Sequence, residues 1–528
     1  MANRARTPAA RPAAPSGGRA GQGELHRWWT LTAVCVGTFM LLLDITIVNV
    51  ALPDVQRDLH SSFSDLQWVV DAYALTLAST LLTCGSLADL FGRRRAYLAG
   101  LTVFTLASLL CGAATGTLFL ELARGLQGVG GAAMFAVSLA ILAETFHGRE
   151  RGLAFGVWGA VTGLAVAVGP VVGGALTSGI SWRWIFYVNV PVGLLALAVT
   201  WTRVRESRDP RPRRPDWWGF ASFTGSLAFL VFALIKSGER GFTDTLVVEC
   251  FAAAAVLLCA FLAIEIAGRH PMFDLSLLSK PTFSGGLIAA FSMSASIFAM
   301  FLYLTLYIQD VLGYSAFGTG LRLLVASGPI FVVAAVSGRL SARVPVRLLI
   351  GPGGIVVGLG LLWMRGLGAD SDWTHLVPGL LLAGVGIGMI NPPLASTAVG
   401  VVPARQAGMA SGVNSTFRQV GVATGIALLG SLFATRVQSV VTEQLSRIPG
   451  LSSQASQFAA ALTNGQSSAA VAHVPPAQRP AAAAAARSAF TSGLDHILLV
   501  AAVVALAGGV LSLLLIRSRD FVPSTEEE

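Results

Sequence analysis

Apolar residues run along this chain in long, nearly unbroken blocks, separated by short polar connectors. A helix needs about 20 mostly apolar residues to cross a hydrocarbon core. Fourteen blocks reach that length, at approximately 29–52, 66–87, 97–114, 118–142, 153–176, 184–202, 217–236, 246–266, 285–309, 317–338, 346–366, 375–399, 410–435 and 494–516. The pattern predicts an all-α polytopic membrane protein embedded in a lipid bilayer.

The connectors predict orientation. Alternate ones are Arg-rich: the N-terminal stretch, 92–95, 147–152, 203–214, 268–280, 339–347 and the stretch after 517. Positive charge stays on the cytoplasmic side. Both termini are therefore expected in the cytoplasm, with the chain multi-pass in the plasma membrane. That requires an even number of spans; it fits fourteen, excludes thirteen and fifteen, and leaves twelve open. Residues 1–27 are Arg-, Ala- and Pro-rich without an apolar run, so they read as a disordered cytoplasmic tail and not a signal peptide. Residues 517–528 form a second such tail. Residues 436–493 are rich in Ala, Gln and Ser, with Pro475-Pro476 and the run Ala481–Ala486. They read as an external low-complexity loop, partly helical or disordered, without chemistry of its own.

A shift of 256 residues lays the chain on itself: Gly128-Val129-Gly130 falls on Gly384-Val385-Gly386, Arg149 on Arg405, Gly152 on Gly408, Gly169 on Gly425 and Gly174 on Gly430. Twelve of the 47 positions from 128 to 174 match without a gap. The repeat pairs spans four and five with twelve and thirteen, an offset of eight. The expected organisation is a six-helix half over 28–202, a linker with two inserted helices over 203–280, and a second six-helix half over 281–516.

Composition and charge narrow the field. Charged residues make up 12% of the chain and hydrophobic ones 54%, with a mean hydropathy of +0.69; soluble domains carry about 25% charged residues. The net charge of +9 is spread between apolar blocks, not gathered on one patch, which argues against nucleic acid as a partner. The only lysines are Lys236 and Lys280, and no phosphate-binding loop is present. The five cysteines and seven histidines show no metal-ligand spacing. No metal, no cofactor and no enzymatic activity are expected.

Ionisable residues inside spans are costly and mark function by default. Asp44 lies about eight residues before the outer end of span one, Asp71 about five into span two and Arg124 about six into span four. At ~1.5 Å per residue the three share a depth of roughly 8–12 Å, so two carboxylates could face one guanidinium. Arg418 lies in span thirteen, and Glu265 near the end of span eight, where a carboxylate ordinarily snorkels. Phe291, Phe298, Phe301, Tyr303 and Tyr307 crowd span nine as candidate cavity aromatics.

Short motifs accompany these charges. The loop after span two reads Gly85-Ser-Leu-Ala-Asp89-Leu-Phe-Gly92-Arg93-Arg94-Arg95, a carboxylate at a helix end followed by arginines, suited to latch one arrangement of two moving halves. This loop resembles the signature of the major facilitator superfamily. Span one carries Leu43-Asp44-Ile-Thr46-Ile-Val-Asn49-Val-Ala-Leu-Pro53, span four Arg124-Gly-Leu-Gln127-Gly128, span five Gly169-Pro170-Val-Val-Gly173-Gly174, and span thirteen Asn414 with Arg418-Gln419. Together they resemble the fourteen-span drug:proton antiporter family, over nearly the whole chain. Leu90 stands where that loop usually has a basic residue, and Ala165 where span five usually has a glycine. The second-half loop, Gly338-Arg-Leu-Ser-Ala342-Arg343, has no aspartate.

The resemblance implies the major facilitator fold, two six-helix halves plus two inserted helices, and export of a small amphipathic or cationic molecule in exchange for protons by alternating access. It implies proton coupling and substrate recognition at Asp44 and Arg124, with Asp71 as a further candidate. A latch is implied at Gly85, Asp89, Gly92, Arg93 and Arg94, and a bent, tightly packed helix at Gly169, Pro170, Gly173 and Gly174. A monomer is expected. The competing readings are a proton-coupled importer of a nutrient or peptide and a non-transporting scaffold or sensor. The span-five pattern argues against the importer, and the intramembrane charges against the scaffold.

Overall fold

The computed structural model describes residues 17–522, apart from 62, 209–214, 269–270, 342, 369–370, 447–454 and 464–470. Helices occupy all fourteen expected blocks: α1 (Gly17–Leu59), α2 (Phe63–Phe91), α3 (Arg93–Gly112), α4 (Thr117–Thr145), α5 (Gly148–Gly179), α6 (Trp184–Arg203), α7 (Trp217–Arg240), α8 (Thr245–Ala267), α9 (Pro281–Gln309), α10 (Ala316–Leu340), α11 (Arg347–Trp363), α12 (Val377–Gly400), α13 (Ala407–Leu445) and α14 (Arg479–Leu515). In hydrocarbon each backbone N–H must find a carbonyl within its own segment, and only a helix supplies that locally. Among the described residues, twelve helices are long and apolar enough to cross a membrane. The other two are α5, 32 residues long, some of whose side chains lie outside the described set, and the apolar α11, of 17 residues.

Two expectations change. Helix α1 begins at Gly17, so the stretch from 17 to 27 is helical and not disordered; residues 1–16 lie outside the described ones. The 436–493 segment is less a loop than a continuation of its neighbours. Helix α13 runs on to Leu445, α14 starts at Arg479, and the short helix Ala455–Thr463 stands between them. Val437, Val441, Leu445, Phe458, Leu462, Ala482, Ala485, Ala486 and Ala489 are all buried in one apolar cluster.

Helices α1–α6 pack around two buried clusters, one of which takes in Ala395 and Val399 of α12 and Ala407 of α13, and α9–α14 pack around a further core. The pair α7–α8 rests against both. Thr83 of α2 and Thr224 of α7 share a 2.8 Å hydrogen bond, and Phe220 and Phe261 join Leu82 of α2 and Met409 of α13 in one cluster. Helix α9 is interrupted by the π-helical stretch Ser294–Phe298 and closes on a second one, Tyr307–Val311.

The halves meet at the face that carries both chain ends, and the meeting follows the internal repeat. A Cβ built on Gly85 of α2 would lie 2.3 Å from the Gly408 carbonyl oxygen of α13; one on Gly338 of α10 would lie 2.4 Å from that of Gly152 of α5. Only glycine permits backbones this close. The matched positions 152 and 408 thus sit in matched seams, α5 with α10 and α13 with α2.

Candidate functional site

Asp44 and Arg124 lie in contact inside the first half. The Arg124 Nη1 donates to Asp44 Oδ2 at 2.5 Å, and both side chains are shut off from solvent. The pair is embedded in amides. Gln127, one helical turn from Arg124, accepts from its Nη1 at 2.7 Å and donates to Asp44 Oδ1 at 2.9 Å and to Ser108 Oγ at 2.8 Å. Asn189 of α6 donates to Asp44 Oδ1 at 3.1 Å. The Arg124 Nε donates to the Val69 carbonyl at 3.0 Å, and the Tyr73 ring lies 4.2 Å from the guanidinium carbon. A buried ion pair is tolerable when its remaining lone pairs and protons are matched in this way. Sequence depth brings Asp44 and Arg124 together correctly, but not Asp71. That residue is half-buried two positions before Tyr73 and is not among the described partners of Arg124. Depth fixes height along a helix, not direction around it. Ser108 and Asn189 were missed because a neutral polar side chain leaves a faint mark in an apolar block.

At the terminal face, Asp89 binds across the seam. Its Oδ1 accepts from Arg93 Nε at 3.0 Å and Nη2 at 2.8 Å, and from the Gly408 backbone N–H at 3.0 Å. Its Oδ2 accepts from the Met409 N–H at 2.8 Å. The carboxylate of the first half therefore caps the first turn of α13 in the second, where unpaired N–H groups and the helix dipole favour negative charge. Arg93 also donates to Glu144 at 3.2 Å. Arg94 turns away, donating to the Trp201 carbonyl at 2.5 Å. Gly92 has φ +112, the left-handed region that lets α2 end and α3 begin one residue later.

Helix α5 carries two glycine faces. A Cβ on Gly169 would strike Thr46 of α1, and one on Gly173 would lie 2.8 Å from Ile47. Gly174 faces open space, and the Pro170 side chain lies outside the described residues. The anticipated close packing is present at Gly169 and Gly173, yet it joins α5 to α1 within one half. The seam between halves uses Gly152, Gly156, Gly159 and Gly163 instead, against α10 and Pro392 of α12.

In the second half Arg418 is buried at 7% exposure and donates to Asn391 Oδ1 at 2.6 Å. Asn414, one turn earlier, is buried as well, and Gln419 is half-buried. The Asn49 side chain lies outside the described residues. Glu265 does not snorkel: it is 5% exposed and accepts from the Met272 and Phe273 N–H groups, both at 3.2 Å, pinning the connector after α8. Tyr303 and Tyr307 pack against Phe433 and Phe490, at centroid distances of 5.2 and 6.3 Å.

Two related helical bundles, joined at one face by glycine seams and holding buried charges within their spans, define a polytopic membrane transporter. Residues 34–426 match the model of the Major Facilitator Superfamily, and the chain belongs to it. It is 38% identical over 419 residues to the multidrug resistance protein Stp of Mycobacterium tuberculosis (strain ATCC 25618 / H37Rv), covering 79% of this chain and 78% of that one. It is 39% identical to the puromycin resistance protein pur8 of Streptomyces alboniger, covering 77% and 82%. Over 499 residues it is 34% identical to the tetracenomycin C resistance and export protein of Streptomyces glaucescens, covering 92% and 91%. The human organic anion transporter MFSD10 (TETRAN) superposes with a TM-score of 0.59 at 14% identity, over 91% of this chain and 99% of that one, and shares the fold.

Proposed function

We propose that the chain exports small amphipathic organic molecules, antibiotics among them, across the plasma membrane in exchange for protons. The observation that carries the reading is the sealed Asp44–Arg124 pair, a titratable carboxylate matched to a permanent cation inside a span. Burial holds a proton on a carboxylate, whereas a neighbouring guanidinium removes it. A site that alternates between the two sides therefore loads and unloads a proton as its surroundings change. With the terminal face cytoplasmic, protonation from outside releases Arg124 from Asp44 and loosens the first half. Proton loss inside restores the pair. Cargo leaves on the opposite stroke.

The Asp89 cap on α13 holds the cytoplasmic ends together while the halves open outward, and its rupture lets them open inward. The driving force is the proton gradient, with no cofactor: one charge crossing 100 mV is worth about 2.3 kcal/mol, enough for a roughly fiftyfold gradient of cargo. The protein acts as a monomer. The relatives named for resistance to puromycin and tetracenomycin C favour export over uptake and supply the probes. In proteoliposomes of the purified protein, an imposed pH difference drives puromycin against the direction of proton flow, and a protonophore stops it. Equal puromycin movement with the pH difference and the voltage both abolished would refute exchange.

A further inference from the structure

Arg418 is the charge that the proton-coupling site leaves unexplained. It sits ten residues beyond Gly408, where Asp89 caps α13. At ~1.5 Å per residue that places it about 15 Å along the helix, midway through a ~30 Å hydrocarbon core. The first-half arginine, Arg124, has a carboxylate at 2.5 Å. Among the described residues Arg418 has no carboxylate within 4 Å; its Nη2 donates to the neutral Asn391 Oδ1, and its Nε has no hydrogen-bond partner. Asn414, four residues earlier on the same helix, is 2% exposed and its Oδ1 also lacks a partner. A guanidinium kept in hydrocarbon without a counter-charge is costly, and structural arginines are normally matched.

The surroundings place this cation beside the seam and against irregular backbone. Asn391 precedes Pro392, which a Cβ on Gly159 of α5 would touch at 3.0 Å. Gly421, one turn beyond Arg418, packs on the Phe291 carbonyl and on Ser294, where α9 passes into its π-helical stretch. Single π turns recur at functional sites. Transporters of this two-half kind hold cargo at the midplane between the repeats.

We propose that Arg418, flanked by Asn391 and Asn414, is the anion-recognising end of the cargo site and takes a carboxylate or ionised phenol of the exported molecule. This deepens the export reading and rests on it. Asp44 in the first half and Arg418 in the second are of opposite sign, so a cargo bearing both charges engages both halves. The guanidinium offers the forked donors that fit a carboxylate, and a lysine does not.

A matched pair of dyes tests this: tetramethylrhodamine, with a free carboxylate, and its methyl ester, which differs only in that charge. Both are followed in proteoliposomes under a pH difference, with wild type, Arg418→Gln and Arg418→Lys each checked for monodispersity. Arg418→Gln should lower kcat/KM for the carboxylate dye by a factor on the order of ten to a hundred and leave the ester within about twofold. Arg418→Lys should fall between. Equal loss of both dyes in a monodisperse variant, or no preferential loss of the carboxylate dye, overturns the anion site while ester export by the wild type leaves the antiport reading standing. If the wild type moves neither dye, the export reading is judged on puromycin transport alone, and equilibrium binding by fluorescence anisotropy decides the site: carboxylate-dye binding lost in Arg418→Gln supports it, and unchanged binding overturns it. Should Arg418→Gln fail to fold, Arg418→Lys decides, because undiminished carboxylate transport in that variant is incompatible with forked recognition.

Discussion

Removing one partner of a buried ion pair does more than delete an attraction; it strands the other charge. Asp44→Asn keeps the shape of the side chain and leaves Arg124 sealed and uncompensated, a loss of about 3–5 kcal/mol. The variant should also lose puromycin export under a pH difference, because an amide neither takes up nor releases a proton near neutral pH. Arg124→Gln added to Asp44→Asn should recover much of the thermal stability and none of the coupled transport. That split separates a proton carrier from a fixed structural pair, and a single variant that keeps full coupled export removes Asp44 from the mechanism. Asp89 makes a graded prediction. Asparagine retains an acceptor for the Gly408 and Met409 N–H groups but loses the Arg93 ion pair, whereas alanine loses both. Solvent access to a cysteine placed on the terminal end of α13 should rise in the order wild type, Asp89→Asn, Asp89→Ala, with the lost cap worth roughly 1–2 kcal/mol.

At the scale of the helix, the informative elements are α13 and α14. They have 39 and 37 residues, about 58 and 55 Å at 1.5 Å per residue, well beyond a ~30 Å core. Outside it they stay paired: Arg436 donates to Ser492 at 3.0 Å, Gln444 donates to Ser488 at 2.8 Å, and Val437 and Val441 share one buried cluster with Ala485 and Ala489. An alanine run looks featureless in composition, yet alanine is the best helix former and the smallest packing face. That is why this segment escaped the sequence while the fourteen apolar blocks did not. The same contrast divides the candidate site. Asp44, Arg124 and Asp89 announce themselves as charges at defined heights. The partners that complete them, Asn189, Ser108, Glu144 and the Gly408 N–H, depend on helix rotation and on contacts more than 300 residues apart for the last. Ala489→Leu tests the paired extension: Ala489 is fully buried, so the added bulk should cost about 1–3 kcal/mol in thermal unfolding while the membrane-embedded sites remain intact.

For the molecule as a whole, the decisive feature is that the halves approach backbone to backbone at one face. Gly85 meets the Gly408 carbonyl and Gly338 meets that of Gly152, each within 2.4 Å of where a Cβ would sit. Backbone carbonyls of two packed helices cannot swing aside as a flexible side chain does, so any larger residue forces the bundles apart. The two seams are related by the internal repeat, but among the described residues only the α2–α13 seam has an aspartate across it; in the sequence, residue 342, the counterpart of Asp89, is alanine. Packing alone therefore carries much of the closure at α5–α10. Gly152→Val and Gly85→Val should both insert and fold, since the glycines serve the joining of the halves and not the core of either. Both should hold the terminal face open, and distances between spin labels on the terminal ends of α2 and α13 or of α5 and α10 should lengthen. Export should be lost even with Asp44 and Arg124 untouched. Gly328→Ala on α10, where an added methyl meets nothing within 4 Å, is the control that should transport normally. If the valine variants close and transport like the control, the glycine seams are ordinary packing, and the gate that alternates access lies elsewhere in the bundle.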